Sequence, residues 1–213
     1  MPHTVTIEKT LFKFDELDDS AKEKALNYFR ESACDDSYWY ESIYEDCATI
    51  FDILGIESQT PVKLMNGETR YKPDISFSGF WSQGDGASFE GSYYFKAGCS
   101  KAIRAHAPQD SELHAIADGL TAIARRYFYS LSASLDRRSS HYSHENTVAI
   151  DVESERREVT PEDSDSVAEL MRDLMRWIYS YLEKEYEYQT SDETLAENIR
   201  ANDYDFDESG NLE

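Results

Sequence analysis

Residues 75–95 read ISFSGFWSQGDGASFEGSYYF, and this stretch decides the fold class. Aromatic and isoleucine side chains are interspersed with small residues in 75–81 and 87–95, which is typical of β-strands. The residues between them, SQGDG at 82–86, combine glycines, which tolerate positive φ, with an aspartate that can bond to its own backbone. We therefore predict a tight turn, and with it a β-hairpin.

Two helices and a loop are predicted before this hairpin. Apolar residues at helical spacing indicate a first helix that begins near Asp18 and a second that covers 37–54. Gly55 then has the position of a left-handed helix cap. We interpret 56–73 as a loop because proline and glycine interrupt it, and 3–7 as a short edge strand.

The elements after the hairpin continue the alternation of helices and strands. They are predicted as a helix at 111–127, a strand at 129–135, a polar turn at 136–145, a partner strand at 148–152, a long helix at 164–188 and a short helix at 190–202. The order ααββαββαα indicates an antiparallel sheet, built from two hairpins, with helices packed over it, which is an α+β fold. We assign 1–202 to a single domain and 203–213 to an acidic C-terminal tail.

The distribution of charge separates the ends of the chain from its middle. The 213 residues carry 43 acidic and 21 basic side chains, so the formal net charge is −22. Residues 1–60 hold 14 acids against 5 bases, 61–150 hold 9 against 10, and 151–213 hold 20 against 6. This charge argues against direct binding to nucleic acid or to an anionic membrane, because both require lysine and arginine. Acidity confined to the ends indicates surfaces of strong negative potential.

Further features concern the cell compartment. No apolar run is long enough for a transmembrane helix, and the N-terminus lacks the basic and apolar regions of a signal peptide. Cys34, Cys47 and Cys99 are odd in number and widely spaced, which fits buried, reduced thiols better than disulfides or a zinc site. We therefore expect a cytoplasmic protein.

Acidic side chains at helical spacing form the first candidate site. Glu41 and Glu45 share a helix face with Asp52, so their carboxylates follow one another at intervals comparable to those of phosphates on a DNA strand. We predict that they bind the nucleic-acid groove of a partner protein as a DNA mimic. The acids of this prediction are Asp35, Asp36, Glu41, Glu45, Asp46, Asp52, Glu183 and Glu187. The alternative is a solvated surface that only keeps the protein soluble.

The glycine-rich turn is the second candidate site. Trp81, Gln83 and Asp85 lie close together in it, so the turn is suited to present an aromatic anchor to a partner. It is not a phosphate-binding loop, because no GK[ST] follows and it joins two strands. The alternative is a tight hairpin whose aromatic residues belong to the core.

Histidines give a weaker, third candidate. His141 and His144 lie in the polar turn near Arg137 and Arg138. An HxxH pair in a turn, without a CxxC or HExxH motif, does not supply the three or four ligands of a metal site, so we expect no metal and no other cofactor. No GxSxG motif indicates a catalytic serine, and we predict no catalytic residues.

Particular segments carry a resemblance to a known group of proteins. They are LFKFDELDDSAKEKALNYFRE (11–31), PDISFSGFWSQGDGASFEG (73–91), HYSHENTVAID (141–151) and IRANDYDFDESGNLE (199–213). The chain resembles a family of uncharacterised acidic proteins encoded by bacteriophages and prophages, and FSGFWSQGDGASFEG is the most specific part of the resemblance. The resemblance implies a small intracellular protein made during infection, and it carries over no catalytic roles.

The sequence supports three hypotheses about function, of which the first rests on charge and resemblance together. The leading one is a non-enzymatic phage-type inhibitor that binds a host defence protein which handles nucleic acid, such as a CRISPR effector or a restriction enzyme. The first alternative is a small-ligand- or metal-binding enzyme that uses the glycine-rich turn with His141 and His144. The second is an accessory phage protein whose acidity only keeps it soluble. The wide apolar face with Trp177 and Ile178 fits either a core helix or a homodimer interface.

Overall fold

Helices and antiparallel strands alternate along the computed structural model, which describes residues 8–35, 38–63, 67–138 and 142–213. Its helices are α1 (Asp19–Ser32), α2 (Tyr38–Leu54), α3 (Cys99–His106), α4 (Ser111–Arg126), α5 (Pro161–Gln189) and α6 (Asp192–Ala201). Its strands are β1 (Phe12–Lys13), β2 (Ile56–Glu57), β3 (Thr60–Lys63), β4 (Thr69–Lys72), β5 (Ile75–Phe77), β6 (Ala87–Phe89), β7 (Gly91–Tyr94), β8 (Leu131–Arg137), β9 (Val148–Ser154) and β10 (Asp205–Phe206). The predicted α+β fold class is confirmed.

The chain divides into two compact units, of which unit 1 joins Met1–Tyr40 to Lys184–Glu213. In this unit β1 and β10 pair antiparallel. Its core consists of Phe14, Leu17, Ala21, Ala25, Ile199 and Phe206. Phe206 is completely buried, so the segment predicted as an acidic tail, 203–213, contributes to the core of the unit. The edge strand expected at 3–7 lies outside the described residues.

Unit 2, Glu41–Glu183, is built around a four-stranded antiparallel sheet in the order β2-β7-β8-β9. Side chains along β8 alternate between the two faces of the sheet, so Leu131, Ala133 and Leu135 are buried while the serines between them are partly exposed. Phe89 of β6 is also fully buried, and its ring lies 4.7 Å from that of Phe51 in α2. The core of unit 2 therefore joins residues from strands and helices that are far apart in the sequence.

The long helix α5 contributes its apolar face to this core. Ile178 is 1% exposed, which makes it a core residue. Trp177 is half-buried, and its indole Nε1 donates to the carboxylate of Asp110 (2.7 Å), which also caps α4. Within the described residues, no helix combines the length and the hydrophobicity that a membrane span requires.

The chain departs from the predicted strands at Gly91. We predict one strand over 87–95, whereas the structure contains β6, which pairs with β5, and β7, which joins the central sheet. Gly91 has a φ of 147°, and a Cβ added to it would lie 2.2 Å from the carbonyl oxygen of Glu57. Only glycine fits this close approach, and here the chain leaves the hairpin of β5 and β6 for the central sheet.

The interpretation of 56–73 as a loop was wrong. β2 pairs with β7 at the edge of the central sheet, and β3 and β4 form a separate hairpin. Pro61 is tolerated because β3 has a strand on one side only in this two-stranded sheet. The short helix α3 was not predicted either, because two helical turns give too little periodicity to detect.

Candidate functional site

The residues between β5 and β6 form a closed loop, which we call the Trp81 loop (78–86). The carboxylate of Asp85 closes it, because its Oδ2 accepts from the backbone N–H groups of Trp81 (3.0 Å) and Ser82 (2.7 Å). The backbone N–H of Asp85 donates in turn to the carbonyl oxygen of Ser82 (3.1 Å). This is the local role that the sequence predicts for an aspartate in a tight turn. These hydrogen bonds fix the backbone at Trp81 and Ser82.

The base of the Trp81 loop is tied to two other segments of unit 2. Ser78 Oγ accepts from the backbone N–H of Gly86 (3.2 Å) and donates to the carbonyl oxygen of Ser143 (3.1 Å). From α5, the hydroxyl of Tyr179 donates to the carbonyl oxygen of Gly79 (3.0 Å). The conformation of the loop is therefore set by contacts outside it as well as within it.

Aromatic rings connect this loop to α5. Phe77 and Phe80 stack with their centroids 5.8 Å apart, and Phe80 lies 5.4 Å from Tyr179. Phe80 is half-buried, whereas 82% of the accessible surface of Trp81 is exposed. The alternative in which the aromatic residues of the turn belong to the core therefore fits Phe80 but not Trp81.

The charges of two carboxylates, Glu183 and Asp85, act on the phenol of Tyr179. Burial raises the pKa of Tyr179, and the negative charges of Glu183 and Asp85 raise it further. The phenol thus keeps the proton that it donates to the loop. These interactions bring together Trp81, Asp85 and Glu183, which are all predicted partner-binding residues, while Gln83 is exposed within the same turn.

The predicted acids of α2 have polar partners within unit 2. The pairs are Glu41 with Lys72 (2.9 Å), Asp46 with His106 (2.7 Å), Asp52 with Lys96 (3.0 Å) and Glu45 with Arg70. The lysine and arginine partners offset the negative charge that Glu41, Glu45 and Asp52 were predicted to offer to a partner. These carboxylates are consequently weaker candidates for a binding surface than Asp85 and Glu183.

The remaining predicted acids lie elsewhere. Asp35 is exposed just after α1, and Glu187 is exposed near the end of α5, both in unit 1. Asp36 lies outside the described residues. The described acids of the prediction are therefore divided between unit 1 and unit 2, and neither unit contains all of them.

The hypothesis of an enzyme at the glycine-rich turn finds one histidine nearby. A Cβ added to Gly86 would lie 3.1 Å from His144, whose Nδ1 accepts from the backbone N–H of Asn146 (3.1 Å). In the part of the chain that the structure describes, no group of three or more His, Cys, Asp and Glu side chains is arranged to hold a metal ion. His141 lies outside that part, and the hypothesis stays a prediction.

Clefts in unit 2 are lined by other residues. One of about 510 Å³ has Phe51 and Tyr71 in its wall, and another of about 490 Å³ lies between α4 and α5 with Ile116 and Trp177 in its wall. Neither wall includes a residue of the Trp81 loop, so these clefts do not support a ligand site at the glycine-rich turn.

Sequence reasoning missed the residues that support the loop from a distance. Tyr179 escaped notice within the long apolar helix, although it lies off the buried stripe of Leu174, Ile178 and Leu182. A large residue off such a stripe was a usable signal, because that side of a helix normally meets solvent or another segment. Ser78 and Ser143 gave no signal, since their bonds depend on tertiary contacts.

Glu41 provides a test of the ion pairs on α2. A hydrogen bond from Lys72 lowers the pKa of Glu41 below its ordinary value of 4.5, and we expect Lys72→Met to raise that pKa again in an NMR titration. Because the pKa is lower in the folded protein, the pair stabilises the fold above about pH 4.5, and its contribution is lost as the pH falls through the folded pKa. Lys101→Met is the control and should leave the pKa of Glu41 unchanged. If the pKa of Glu41 in the wild-type protein is not below its ordinary value, the ion pair between Glu41 and Lys72 is contradicted.

An α+β domain that presents an exposed tryptophan on a fixed loop is the class of protein that these observations define. The chain belongs to a family described as a domain of unknown function, DUF8835, which matches residues 39–192. The matched residues include the Trp81 loop and nearly coincide with unit 2, Glu41–Glu183. No curated protein and no solved structure matches the chain.

Proposed function

We propose that this chain is a non-enzymatic binding protein that docks on a cationic surface of a protein which handles nucleic acid, with Trp81 as its anchor. The observation that carries the proposal is that Trp81 is 82% exposed while Asp85 and Tyr179 fix the loop around it. Tryptophan is among the residues most enriched at the energetic centres of protein interfaces. A loop backbone that is already fixed before binding lowers the entropic cost of association.

Charge supports a cationic partner. The chain carries a net charge of −22, and Asp85 and Glu183 lie beside the loop. On the edge strand β9 of the same unit, Asp151 and Glu153 are also exposed. A lysine- and arginine-rich groove would be attracted by this negative potential, and association would be fast at low salt. A host defence enzyme that handles nucleic acid, the partner that charge and the phage resemblance together suggest, would supply such a groove, because it must hold nucleic acid.

Capture from a bacterial lysate tests the proposal. The full-length chain is immobilised at low salt with lysate from a host that carries active CRISPR and restriction systems, and bound proteins are eluted by a salt step and identified. We expect the wild-type chain to retain a nucleic-acid-binding enzyme, which the salt step then displaces. The Trp81→Ala variant should not retain this enzyme. Identical capture by the two chains would overturn the proposal.

The roles of the two groups of carboxylates are separated with the purified partner. Glu183→Lys is expected to weaken binding about tenfold and to reduce its salt dependence, because a positive charge then faces the cationic groove. The double variant Glu41→Gln and Glu45→Gln should stay within about threefold of wild type, since these carboxylates already have basic partners. Surface plasmon resonance at several salt concentrations measures both effects. If the two variants lose the same amount of binding affinity, α2 belongs to the interface with the partner.

A further inference from the structure

The strand β9 lies at an edge of the central sheet. In the order β2-β7-β8-β9, the described residues place β8 on one side of it and no strand on the other. Its residues pair with β8 in one continuous register, from Leu131 opposite Ser154 to Arg137 opposite Val148. The outer side of β9 is therefore an unbroken edge of seven residues.

Hydrogen bonds at the ends of the ladders show which residues of β9 bond to β8. The backbone N–H of Arg138 donates to the carbonyl oxygen of Thr147 (2.9 Å), directly beyond the last pair of the two strands. Bonded and non-bonded pairs alternate in an antiparallel ladder, so every second residue of β9 bonds to β8. These residues are Ala149, Asp151 and Glu153. The bond from the backbone N–H of Phe95 to the carbonyl oxygen of Leu131 (3.0 Å) gives the same assignment, because it turns Leu131 toward β7.

The other residues of β9 turn their N–H and C=O groups away from β8. They are Val148, Ile150, Val152 and Ser154. Among the described residues, these backbone groups have no hydrogen-bond partner. A row of unpaired groups along an edge is a template for one further strand.

The sequence of β9 lacks the features with which proteins normally protect such an edge. Lysine, proline, a β-bulge and a short length are the usual means. The residues of β9, VAIDVES, include neither lysine nor proline, and their continuous register leaves no bulge. The strand at the opposite edge, β2, has only two residues. In the central sheet, β9 is therefore the edge that can hold a strand of ordinary length.

The two faces of β9 differ in chemistry. On the core face, Ile150 and Val152 are half-buried, although their neighbours on β8 are buried. An added strand would cover them with apolar side chains. On the other face, Asp151 and Glu153 are exposed, as is Asp136 of β8. Among the described residues, none of these three carboxylates has a basic partner.

Neighbouring basic residues do not neutralise these carboxylates. Arg137 lies on the core face and pairs with Asp74 (3.4 Å) and Glu90 (3.2 Å). Arg138 is exposed, but it follows β8 and lies beyond the last pair with β9. The exposed charges that directly follow β9 cancel one another, and they belong to Glu155, Arg156, Arg157 and Glu158. The exposed face along β9 therefore stays acidic.

We propose that the open edge of β9 binds an extended segment of another protein, in which apolar and basic residues alternate. The segment adds to the central sheet as a fifth strand, and its backbone bonds to the outward N–H and C=O groups of Ile150 and Val152. Its apolar side chains cover those of Ile150 and Val152. Its lysine or arginine side chains then lie on the other face, beside Asp151 and Glu153.

A second copy of this chain does not fit the edge. Two β9 strands that pair with each other would place Asp151 and Glu153 of both copies on one face, and like charges across a strand pair destabilise it. The carboxylates thus favour a basic segment and disfavour self-association. No residue of the Trp81 loop takes part, so this proposal does not rest on the proposed function.

A synthetic peptide as long as β9, in which valine alternates with lysine, tests the site on the full-length chain. The control peptide has the same composition with valines and lysines in separate blocks, so it keeps the charge but cannot put the two residue types on opposite faces of a strand. Isothermal titration calorimetry should show at least about tenfold tighter binding of the alternating peptide. Equal binding of the two peptides would overturn the proposal.

Amide hydrogen exchange measured by NMR locates the peptide. In the free chain, the amides of Ile150 and Val152 should exchange faster than those of Asp151 and Glu153, since only the latter donate to β8. The alternating peptide should slow exchange at Ile150 and Val152 at least about tenfold. Slow exchange of these two amides in the free chain would show that the edge is already covered, and would overturn the proposal.

Blocking the backbone hydrogen bonds separates strand addition from attraction by charge. Val152→Pro removes an N–H that points away from β8, so the fold should remain while binding weakens at least about tenfold. A peptide with methylated backbone nitrogens at its valines tests the same bonds in the unchanged protein and should lose binding to the same extent. Methylation at the lysines, whose N–H groups point away from β9, is the control and should preserve binding. Unchanged affinity after methylation at the valines would contradict a strand pair.

Charge variants test the specificity of the edge. Glu153→Lys should weaken binding of the alternating peptide about tenfold, because lysines then lie side by side. Glu57→Lys is the matched control, since Glu57 is exposed on the same face but belongs to β2 at the opposite edge, and it should stay within about twofold of wild type. Trp81→Ala should bind the peptide like the wild type. Loss of the peptide in Trp81→Ala would place it on the Trp81 loop and overturn the β9 site.

Discussion

Replacing Gly91 by alanine is expected to lower the free energy of unfolding by about 3–5 kcal/mol. A Cβ at Gly91 would lie 2.2 Å from the carbonyl oxygen of Glu57, and the φ of 147° is itself unfavourable for alanine. The oxygen belongs to β2, which pairs directly with β7. Backbone atoms cannot rotate away as a side chain can, so the overlap is relieved only if these strands separate.

Urea denaturation followed by circular dichroism measures this loss, and Gly98→Ala is the matched control. Gly98 also has a left-handed φ, 86°, but no atom lies within 4 Å of a Cβ added to it. Its replacement should therefore cost only the conformational penalty, about 1 kcal/mol. If Gly91→Ala costs no more than Gly98→Ala, β2 does not approach β7 as closely as the structure shows.

Gly91 also shows why the sequence predicts the hairpin but not the division of the sheet. The residue pattern of 75–95 is local, and it is enough to place two strands and the turn between them. The change of direction at Gly91 depends on Glu57, which lies far earlier in the chain. Pairing of short strands such as β3 and β4 is likewise decided by tertiary contacts, which leave little trace in the pattern of a few residues.

The residues of the candidate site also fall into two groups, those that the sequence identifies and those that only the fold shows. Asp85 bonds to the backbone of its own turn, so local chemistry was sufficient to identify it together with Trp81. The support from Tyr179 comes from another element, and the sequence does not show it. For α2 the helical spacing of Glu41 and Glu45 was predicted correctly. Their basic partners, which reduce the charge available to another protein, became visible only with the fold.

Trp81→Ala is expected to weaken binding to the captured partner by about 100-fold, while the free energy of unfolding changes by less than about 0.5 kcal/mol. The indole is 82% exposed in the free protein, so it contributes little to the folded state. If it fills a pocket of the partner, it loses most of that exposure on binding, and truncation removes the anchor. Isothermal titration calorimetry and urea denaturation measure the two quantities on the same preparation.

Phe80→Ala separates contact with the partner from support of the loop. Phe80 is half-buried between the rings of Phe77 and Tyr179, so its loss should lower the free energy of unfolding by about 2 kcal/mol and weaken binding indirectly. Trp81→Ala should affect binding alone. Its residual binding should keep the salt dependence of the wild type, because Glu183 and the other carboxylates still attract the cationic surface. Wild-type affinity in Trp81→Ala would show that the exposed indole is not the anchor, and binding would then rest on charge.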